Sequence, residues 1–163
     1  MRAILDTNVI ISATLIRGGN EDQILRAWQR GAFELVLSPQ ILQEIGRALF
    51  YEKLRKFRWM TEEEIADLLQ ALAQGSAIVS GRVKVKASRD PEDDKFLAAA
   101  IEAEAQFVVT GDRDLLDLKS YRGVRIVRPA RFLSIIQRTA EWIGARGAPS
   151  PEQSASMRRA RRR

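Results

Sequence analysis

Acidic side chains follow two of the apolar segments in this 163-residue chain. Residues 3–5 are an apolar run that ends at Asp6, and residues 107–109 are a second run followed by Thr110, Gly111 and Asp112. Runs this short and this continuously apolar predict buried strands. Because ligands of an open α/β sheet bind beyond the carboxyl ends of its strands, we expect these carboxylates to meet at one edge of a sheet.

More acids are positioned to join them. Ser38 and Pro39 predict the start of a helix after a second strand, and Glu44 lies in the second turn of that helix. The helix that precedes the strand at residues 106–110 begins with the acid-rich segment at residues 90–94, and Asp114 follows Asp112 by two positions. Four acidic positions are therefore predicted to gather at the same edge.

Most of these acids also have an ordinary structural interpretation. A strand-end Asp6 can cap the next helix, and Asp90 and Asp93 have the spacing of a capping box. Asp112 beside a glycine is a common turn residue. Glu44 is harder to explain in this way, because at 100° per residue it lies at the margin of an apolar stripe, where a carboxylate needs a partner or an ion.

Taken together, the acids favour a metal centre. Clustered carboxylates raise one another's pKa unless a cation neutralises them, and oxygen ligands suit a hard ion such as Mg²⁺ or Mn²⁺. The chain contains no histidine and no cysteine, which excludes histidine-based triads, thiolate chemistry and imidazole-bound zinc. A hard ion can activate water against a phosphodiester, so this chemistry remains open to a chain without histidine.

The elements that would hold the acids alternate along the sequence. Strands are predicted at residues 2–5, 33–37, 106–110 and 124–127, with a short strand or extended connection within residues 77–85, and helical periodicity lies between them. Alternating elements with continuously apolar strands predict an α/β fold with a parallel sheet covered on both faces.

The charge is distributed unevenly. Residues 144–163 contain six arginines and one glutamate, so they carry +5 of the total net charge of +6, and residues 1–143 carry only +1. We expect a folded domain at residues 1–143 and a basic, disordered tail at residues 144–163. No membrane span or signal peptide is predicted, and a cytoplasmic location is expected.

Four segments of the sequence resemble the motifs of one family. They are L-D-T-N-V from Leu5, S-P-Q-I-L-Q-E-I from Ser38, R-D-P-E-D-D-K-F-L-A-A-A from Arg89 and T-G-D-R-D-L-L from Thr110. In this order, over about residues 2–133, they resemble the PIN-domain ribonucleases, in particular the VapC-like toxins of toxin–antitoxin systems. The resemblance implies a PIN-like three-layer α/β/α fold with a five-stranded parallel sheet, and an RNA-cleaving nuclease domain at residues 1–143.

The resemblance also implies roles for individual residues. The catalytic acids and ligands of Mg²⁺ or Mn²⁺ would be Asp6, Glu44, Asp93 and Asp112. Asp114 would be a further ligand and is the second candidate, after Asp112, for the fourth acid. Asp93 is chosen from its acid-rich segment because it precedes the apolar residues Phe96 and Leu97 at the family's spacing. Supporting polar groups would come from Thr7, Asn8, Ser38, Asp90, Asp94 and Thr110. The implied partners are an RNA substrate, a second copy of the chain in a homodimer and an antitoxin that covers the acids.

Several alternatives are weighed against this interpretation. A haloacid-dehalogenase-type phosphatase needs an acid where Asn8 stands, and a receiver domain needs an acidic pair after the first strand, which residues 5–7 do not provide. An RNA-processing nuclease without an antitoxin and a non-catalytic RNA-binding protein remain open. The tail could be a phosphate-binding arm or simply a solubilising end; its candidate RNA contacts are Arg158, Arg159, Arg161, Arg162 and Arg163.

Overall fold

A computed structural model describes residues 1–146 of the chain, except for the side chains of Trp142 and of residues 144–146. The strands are β1 (Arg2–Leu5), β2 (Glu34–Leu37), β3 (Ala77–Ile78), β4 (Phe107–Val109), β5 (Ser120–Tyr121) and β6 (Val124–Val127). The helices are α1 (Thr7–Leu15), α2 (Asn20–Gln29), α3 (Pro39–Leu49), α4 (Glu62–Gly75), α5 (Asp94–Glu102), α6 (Arg113–Leu116) and α7 (Pro129–Arg146), with 3-10 turns at Glu52–Leu54 and Pro91–Asp93.

The strands form one sheet in the order β3-β2-β1-β4-β6-β5. The four strands that the sequence predicts, β1, β2, β4 and β6, are parallel to one another, and so is β3, which lies where the sequence left a short strand or an extended connection open. The sixth strand, β5, pairs antiparallel with β6 at the edge. It was not predicted because it has only two residues and no apolar run. The predicted α/β fold class is confirmed.

The central strand is covered on both faces. Ala3, Ile4 and Leu5 of β1 are each fully buried, although successive side chains of a strand point to opposite faces. Helix α5 packs across β1, β2, β4 and β6, while α2 packs against α1 and α7. Burial of both faces explains why the strands are continuously apolar and why their polar residues stand at the ends.

An aromatic cluster anchors α7 to the sheet. The fully buried ring of Phe132 packs edge-on against Phe33, with ring centroids 5.1 Å apart, and against Phe107 at 5.5 Å. These three rings join the last helix to the start of β2 and to β4. The helix continues to Arg146, three residues beyond the predicted boundary at residue 143.

The boundary of the proposed tail is only partly visible. Residues 144–146 belong to α7, and the five tail arginines from Arg158 to Arg163 lie outside the described residues. Within residues 1–146, no helix combines the length and the apolar character that crossing a bilayer requires.

Candidate active site

Asp6 stands at the carboxyl end of the central strand β1. Its Oδ2 accepts a hydrogen bond of 2.7 Å from the Thr110 hydroxyl, and its Oδ1 accepts one of 3.1 Å from the backbone N–H of Asn8. The carboxylate is therefore both the cap of α1 and the partner of a residue that follows β4. The cap expected from the sequence exists, and it does not exclude a role in a polar site.

The surroundings of Asp6 disfavour its charged form. Burial raises the pKa of this carboxyl, and the hydrogen bonds from Thr110 and Asn8 oppose that rise. The negative charges of Glu44 and Asp112 raise the pKa further. Asp6 is only 4% exposed. A buried carboxylate that faces two other acids is stabilised by a nearby cation.

Three more acids meet at the same edge. Carboxylate oxygens of Asp93, Asp112 and Asp114 all lie within 4.8 Å of one another. Asp112 caps α6 by accepting a hydrogen bond of 2.9 Å from the N–H of Asp114, and its own N–H donates to the Thr110 hydroxyl at 3.0 Å. Thr110 thus connects Asp6 to this cluster through one hydroxyl group.

Asp93 is the most perturbed of these groups. Burial raises its pKa to about 7, helped by the carboxylate of Asp112 and by the charges of Asp90 and Asp6. Its Oδ2 atom is buried and has no hydrogen-bond partner among the described residues. Buried polar atoms are nearly always paired in folded proteins, so an unpaired carboxylate oxygen on a member of an acidic cluster fits a bound cation.

Glu44 reaches the edge from α3 but is paired with a lysine. Its carboxylate forms an ion pair with the ammonium of Lys95, and the two side chains are 32% and 21% exposed. The charge of Glu44 still raises the pKa of Asp6, so Glu44 faces the same acidic edge. To act as a metal ligand, as predicted, the carboxylate of Glu44 would have to contact the ion and Lys95 together or break its ion pair with Lys95.

The predicted supporting residues have distinct positions. Ser38 caps α3 through the N–H of Ile41 at 3.3 Å, and Asp90 caps the 3-10 turn at Pro91–Asp93 through the N–H of Glu92 at 3.0 Å. Thr7 is buried, and its hydroxyl has no hydrogen-bond partner in the part of the chain described. Ser38 and Asp90 therefore hold the backbone that presents Glu44 and Asp93.

Asp94 has a structural role of its own. Its buried Oδ1 accepts hydrogen bonds from the N–H groups of Ala87 at 3.2 Å and Ser88 at 2.7 Å. These contacts tie the connection between β3 and the 3-10 turn to the start of α5. Asp94 therefore holds the segment that leads to Asp90.

Two basic residues of the site carried no assigned role in the sequence interpretation. Lys95 pairs with Glu44 and donates a hydrogen bond of 2.8 Å to the backbone oxygen of Glu92. Arg89 lies 3.4 Å from a carboxylate oxygen of Asp114 and also pairs with Asp117. Arg89 directly precedes the acids of one motif and Lys95 directly follows them, and this flanking of acids by cations is the feature of the sequence that indicates their role.

The sequence of this chain is similar to those of known proteins. Residues 2–114 match the protein-family model described as PIN domain. A protein of Methanocaldococcus jannaschii, called "Uncharacterized protein MJ1680", is 34% identical over 119 residues, which cover 73% of this chain and 76% of that protein.

A solved structure shares the fold. A chain in the crystal structure of VapBC2 from Rickettsia felis bound to a DNA fragment from their promoter matches with a TM-score of 0.51 at 14% identity. The match covers 78% of this chain and 98% of that one. At this identity the likeness concerns the fold alone, and the acidic edge described above rests on the chain's own geometry.

Proposed function

The chain belongs to the PIN-domain family, and we propose that it is a divalent-metal-dependent ribonuclease that hydrolyses RNA phosphodiester bonds. The observation that carries the proposal is the gathering of Asp93, Asp112 and Asp114 within 4.8 Å. Asp6 is joined to them by the hydroxyl of Thr110. Four carboxylates at one strand edge, without histidine or cysteine, are a ligand set for a hard cation.

The acids of the site would contribute differently to binding that cation. Asp6, Asp93 and Asp112 would bind Mg²⁺ or Mn²⁺, with Asp114 and Glu44 at the border of the site. When bound, the ion would supply an activated water and neutralise charge on the phosphoryl group. Thr110 fixes the orientation of Asp6 and of the Asp112 backbone, and Arg89 and Lys95 place positive charge beside the outer acids.

RNA cleavage by a matched pair of variants tests the proposal. The purified chain would be incubated with a mixed-sequence RNA and Mn²⁺, and the ends of the products would be sequenced. Asp6→Asn removes one ligand charge at the buried edge, whereas Asp67→Asn removes an exposed carboxylate on α4. We expect cleavage by the wild type and by Asp67→Asn, and loss of cleavage in Asp6→Asn.

Equal cleavage by the wild type and Asp6→Asn would reject the enzymatic proposal and point to a contaminating nuclease. RNA binding without any cleavage would instead favour a non-catalytic protein that retains the fold. The same samples give Mn²⁺ affinity by titration calorimetry. We expect Asp6→Asn to weaken that affinity, so metal binding and catalysis are tested by separate measurements.

We further propose that the nuclease is the toxin of a toxin–antitoxin pair and forms a homodimer in the cytoplasm. The R. felis structure with which it shares its fold is described as VapBC2 bound to promoter DNA, and this supports a partner protein here. An antitoxin would cover the acidic edge and prevent RNA from reaching it.

Co-expression separates this proposal from an RNA-processing nuclease without an antitoxin. A small reading frame next to the gene would be expressed together with the chain, and growth, copurification and RNA cleavage would be measured. We expect the partner to copurify, restore growth and block cleavage. Growth inhibition that no neighbouring reading frame relieves would argue for the RNA-processing alternative, and light scattering would test the dimer.

A further inference from the structure

A cavity adjoins the acidic edge on the side of α1, α2 and α7. It has a volume of about 260 Å³, and its lining combines the apolar residues Val9, Pro129 and Ala130 with a polar wall formed by Asn8, Ser12, Asn20, Glu21, Gly111 and Arg128. We call it the amide pocket. Asn8 follows Asp6 by two residues and Gly111 directly precedes Asp112, so the amide pocket lies next to the acidic edge, although none of the clustered acids lines it.

The sheet topology brings these residues together. Strand β6 lies beside β4 and ends at Val127, whose carbonyl accepts a hydrogen bond of 3.0 Å from the N–H of Thr110. Arg128 therefore follows β6 at the level where Thr110 follows β4. Asn20, the first residue of α2, reaches the same level across α1. The pocket thus extends the acidic edge rather than forming a separate surface.

The polar side chains of the amide pocket are available to a ligand. Asn8, Asn20 and Arg128 are exposed. Within residues 1–146, their side chains form no hydrogen bond or ion pair with another residue. Glu21 and Arg128 line the same cavity without forming an ion pair with each other. The pocket therefore offers a hydrogen-bond acceptor, the carboxylate of Glu21, and a cation, the guanidinium of Arg128, at separate positions.

This chemistry matches one nucleotide of a single strand. Asparagine amides offer a donor and an acceptor in the geometry that base edges require, a glutamate accepts from exocyclic amines, and an arginine binds phosphate. Proteins read single-stranded RNA by hydrogen-bonding to the edges of unstacked bases. The volume is below the roughly 300–1,000 Å³ typical of pockets for drug-sized ligands, so it suits one nucleotide and not a duplex.

We propose that the amide pocket binds the nucleotide next to the scissile phosphate and thereby sets the base preference of cleavage; this rests on the proposed ribonuclease function. Asn20 and Glu21 contact the base, and Arg128 contacts a phosphate of the flanking backbone. The negative charge of Glu21 repels phosphate, so it directs the backbone toward Arg128 and orients the strand across the acidic edge.

Metal-free binding tests the pocket independently of catalysis. Fluorescein-labelled eight-nucleotide RNAs of A, of C, of U and of alternating G and U would be titrated with the full chain in EDTA, where a metal-dependent nuclease is silent. Asn20→Ala and Arg128→Gln change the pocket. Gln70→Ala and Arg30→Gln are matched controls, because both residues are exposed and neither lines the pocket.

We expect unequal affinities of the wild type for the four RNAs. Asn20→Ala should lower the affinity for the preferred RNA about fivefold to tenfold and reduce the difference between RNAs, whereas Arg128→Gln should weaken all four alike. The two controls should bind as the wild type does. Unchanged affinities in both pocket variants, or an equal loss for all four RNAs in Asn20→Ala, would overturn the proposal.

Two further measurements identify the ligand and separate the two proposals. Competition with free AMP, CMP, GMP and UMP distinguishes a segment of RNA from a mononucleotide, and a free nucleotide that binds as tightly as the RNA would overturn the assignment. With Mn²⁺, the base that flanks the cut should shift in Asn20→Ala. Absence of cleavage by the wild type would reject the ribonuclease proposal, while the EDTA titrations would still decide whether the pocket reads bases.

Discussion

The Thr110 hydroxyl donates a hydrogen bond of 2.7 Å to Oδ2 of Asp6, although 104 residues separate the two in sequence. The same hydroxyl accepts from the N–H of Asp112 at 3.0 Å. One side chain thus fixes the buried carboxylate after β1 relative to the acidic turn after β4. Any enzymatic use of this edge depends on that connection.

Thr110→Val should therefore impair RNA cleavage without removing an acid. Valine has about the same volume as threonine but cannot form either hydrogen bond. Asp6 and the backbone of Asp112 would then no longer be held by a shared hydrogen-bond partner. We expect a loss of activity of roughly tenfold to a hundredfold, as for other residues that orient metal ligands. Thr110→Ser keeps the hydroxyl and should retain most activity. Equal rates for the two variants would show that the hydroxyl does not position the site.

The stability of the metal-free protein should depend on the protonation of Asp93. Burial and neighbouring acids raise its pKa from 3.8 to about 7 in the folded state. Between these values the folded protein holds the proton that the unfolded chain releases, so the free energy of unfolding falls as pH rises from about 4 to about 7.

Thermal melts in EDTA from pH 4 to pH 8 would measure this effect. Asp93→Asn carries no titrating group at this position and should lose part of the pH dependence, with its largest gain in stability over the wild type at pH 8. Parallel stability curves for the two proteins would contradict the raised pKa of Asp93.

Divalent ions should raise the melting temperature through the same acids. At a hundredfold excess of Mn²⁺ over its Kd, a gain of about 5–10 °C is expected for a domain of this size. Asp112→Asn should remove more of this gain than Asp114→Asn, because Asp114 is 37% exposed and already lies near Arg89. Asp67→Asn serves as the control and should keep the full gain. A larger effect of Asp114→Asn would mean that Asp114, and not Asp112, is the more important metal ligand.

The ion pair between Glu44 and Lys95 should compete with metal binding. Lys95→Gln frees the carboxylate, so we expect Mg²⁺ affinity to increase by about fivefold, the equivalent of roughly 1 kcal/mol for a partly exposed pair. Calorimetric titration of the wild type, Lys95→Gln and Glu44→Gln measures this directly. An unchanged affinity in Lys95→Gln would mean that Glu44 does not reach the ion.

The attachment of α7 should depend on Phe132. Phe132→Ala removes a fully buried ring that contacts Phe33 and Phe107, and we expect a loss of about 3–5 kcal/mol in the free energy of unfolding. Phe132→Leu keeps most of the volume and should cost less. Denaturant unfolding gives both values, and a small effect of Phe132→Ala would show that this cluster does not anchor the helix.

The sequence alone determined the secondary-structure order and the acids. Continuously apolar runs ending in polar residues predict buried parallel strands, and the rule that ligands bind beyond the carboxyl ends of strands places Asp6 and Asp112 at one edge. The strands predicted at residues 2–5, 33–37, 106–110 and 124–127 are all present because that signal is local, whereas β3 lies in a segment that the sequence left open. Strand β5 and the last three residues of α7 were missed because neither has an apolar pattern that ends where the element ends.

Only the tertiary structure decided which acids lie together and which of them contact other groups instead. Asp93, Asp112 and Asp114 converge, Asp94 holds a loop, and Glu44 pairs with Lys95. Spacing along a helix cannot distinguish these outcomes, because each depends on which side chain another element presents. The amide pocket has the same origin: Asn20 and Arg128 lie 108 positions apart in the sequence, and only the packing of α2 against α1 and α7 places them around one cavity.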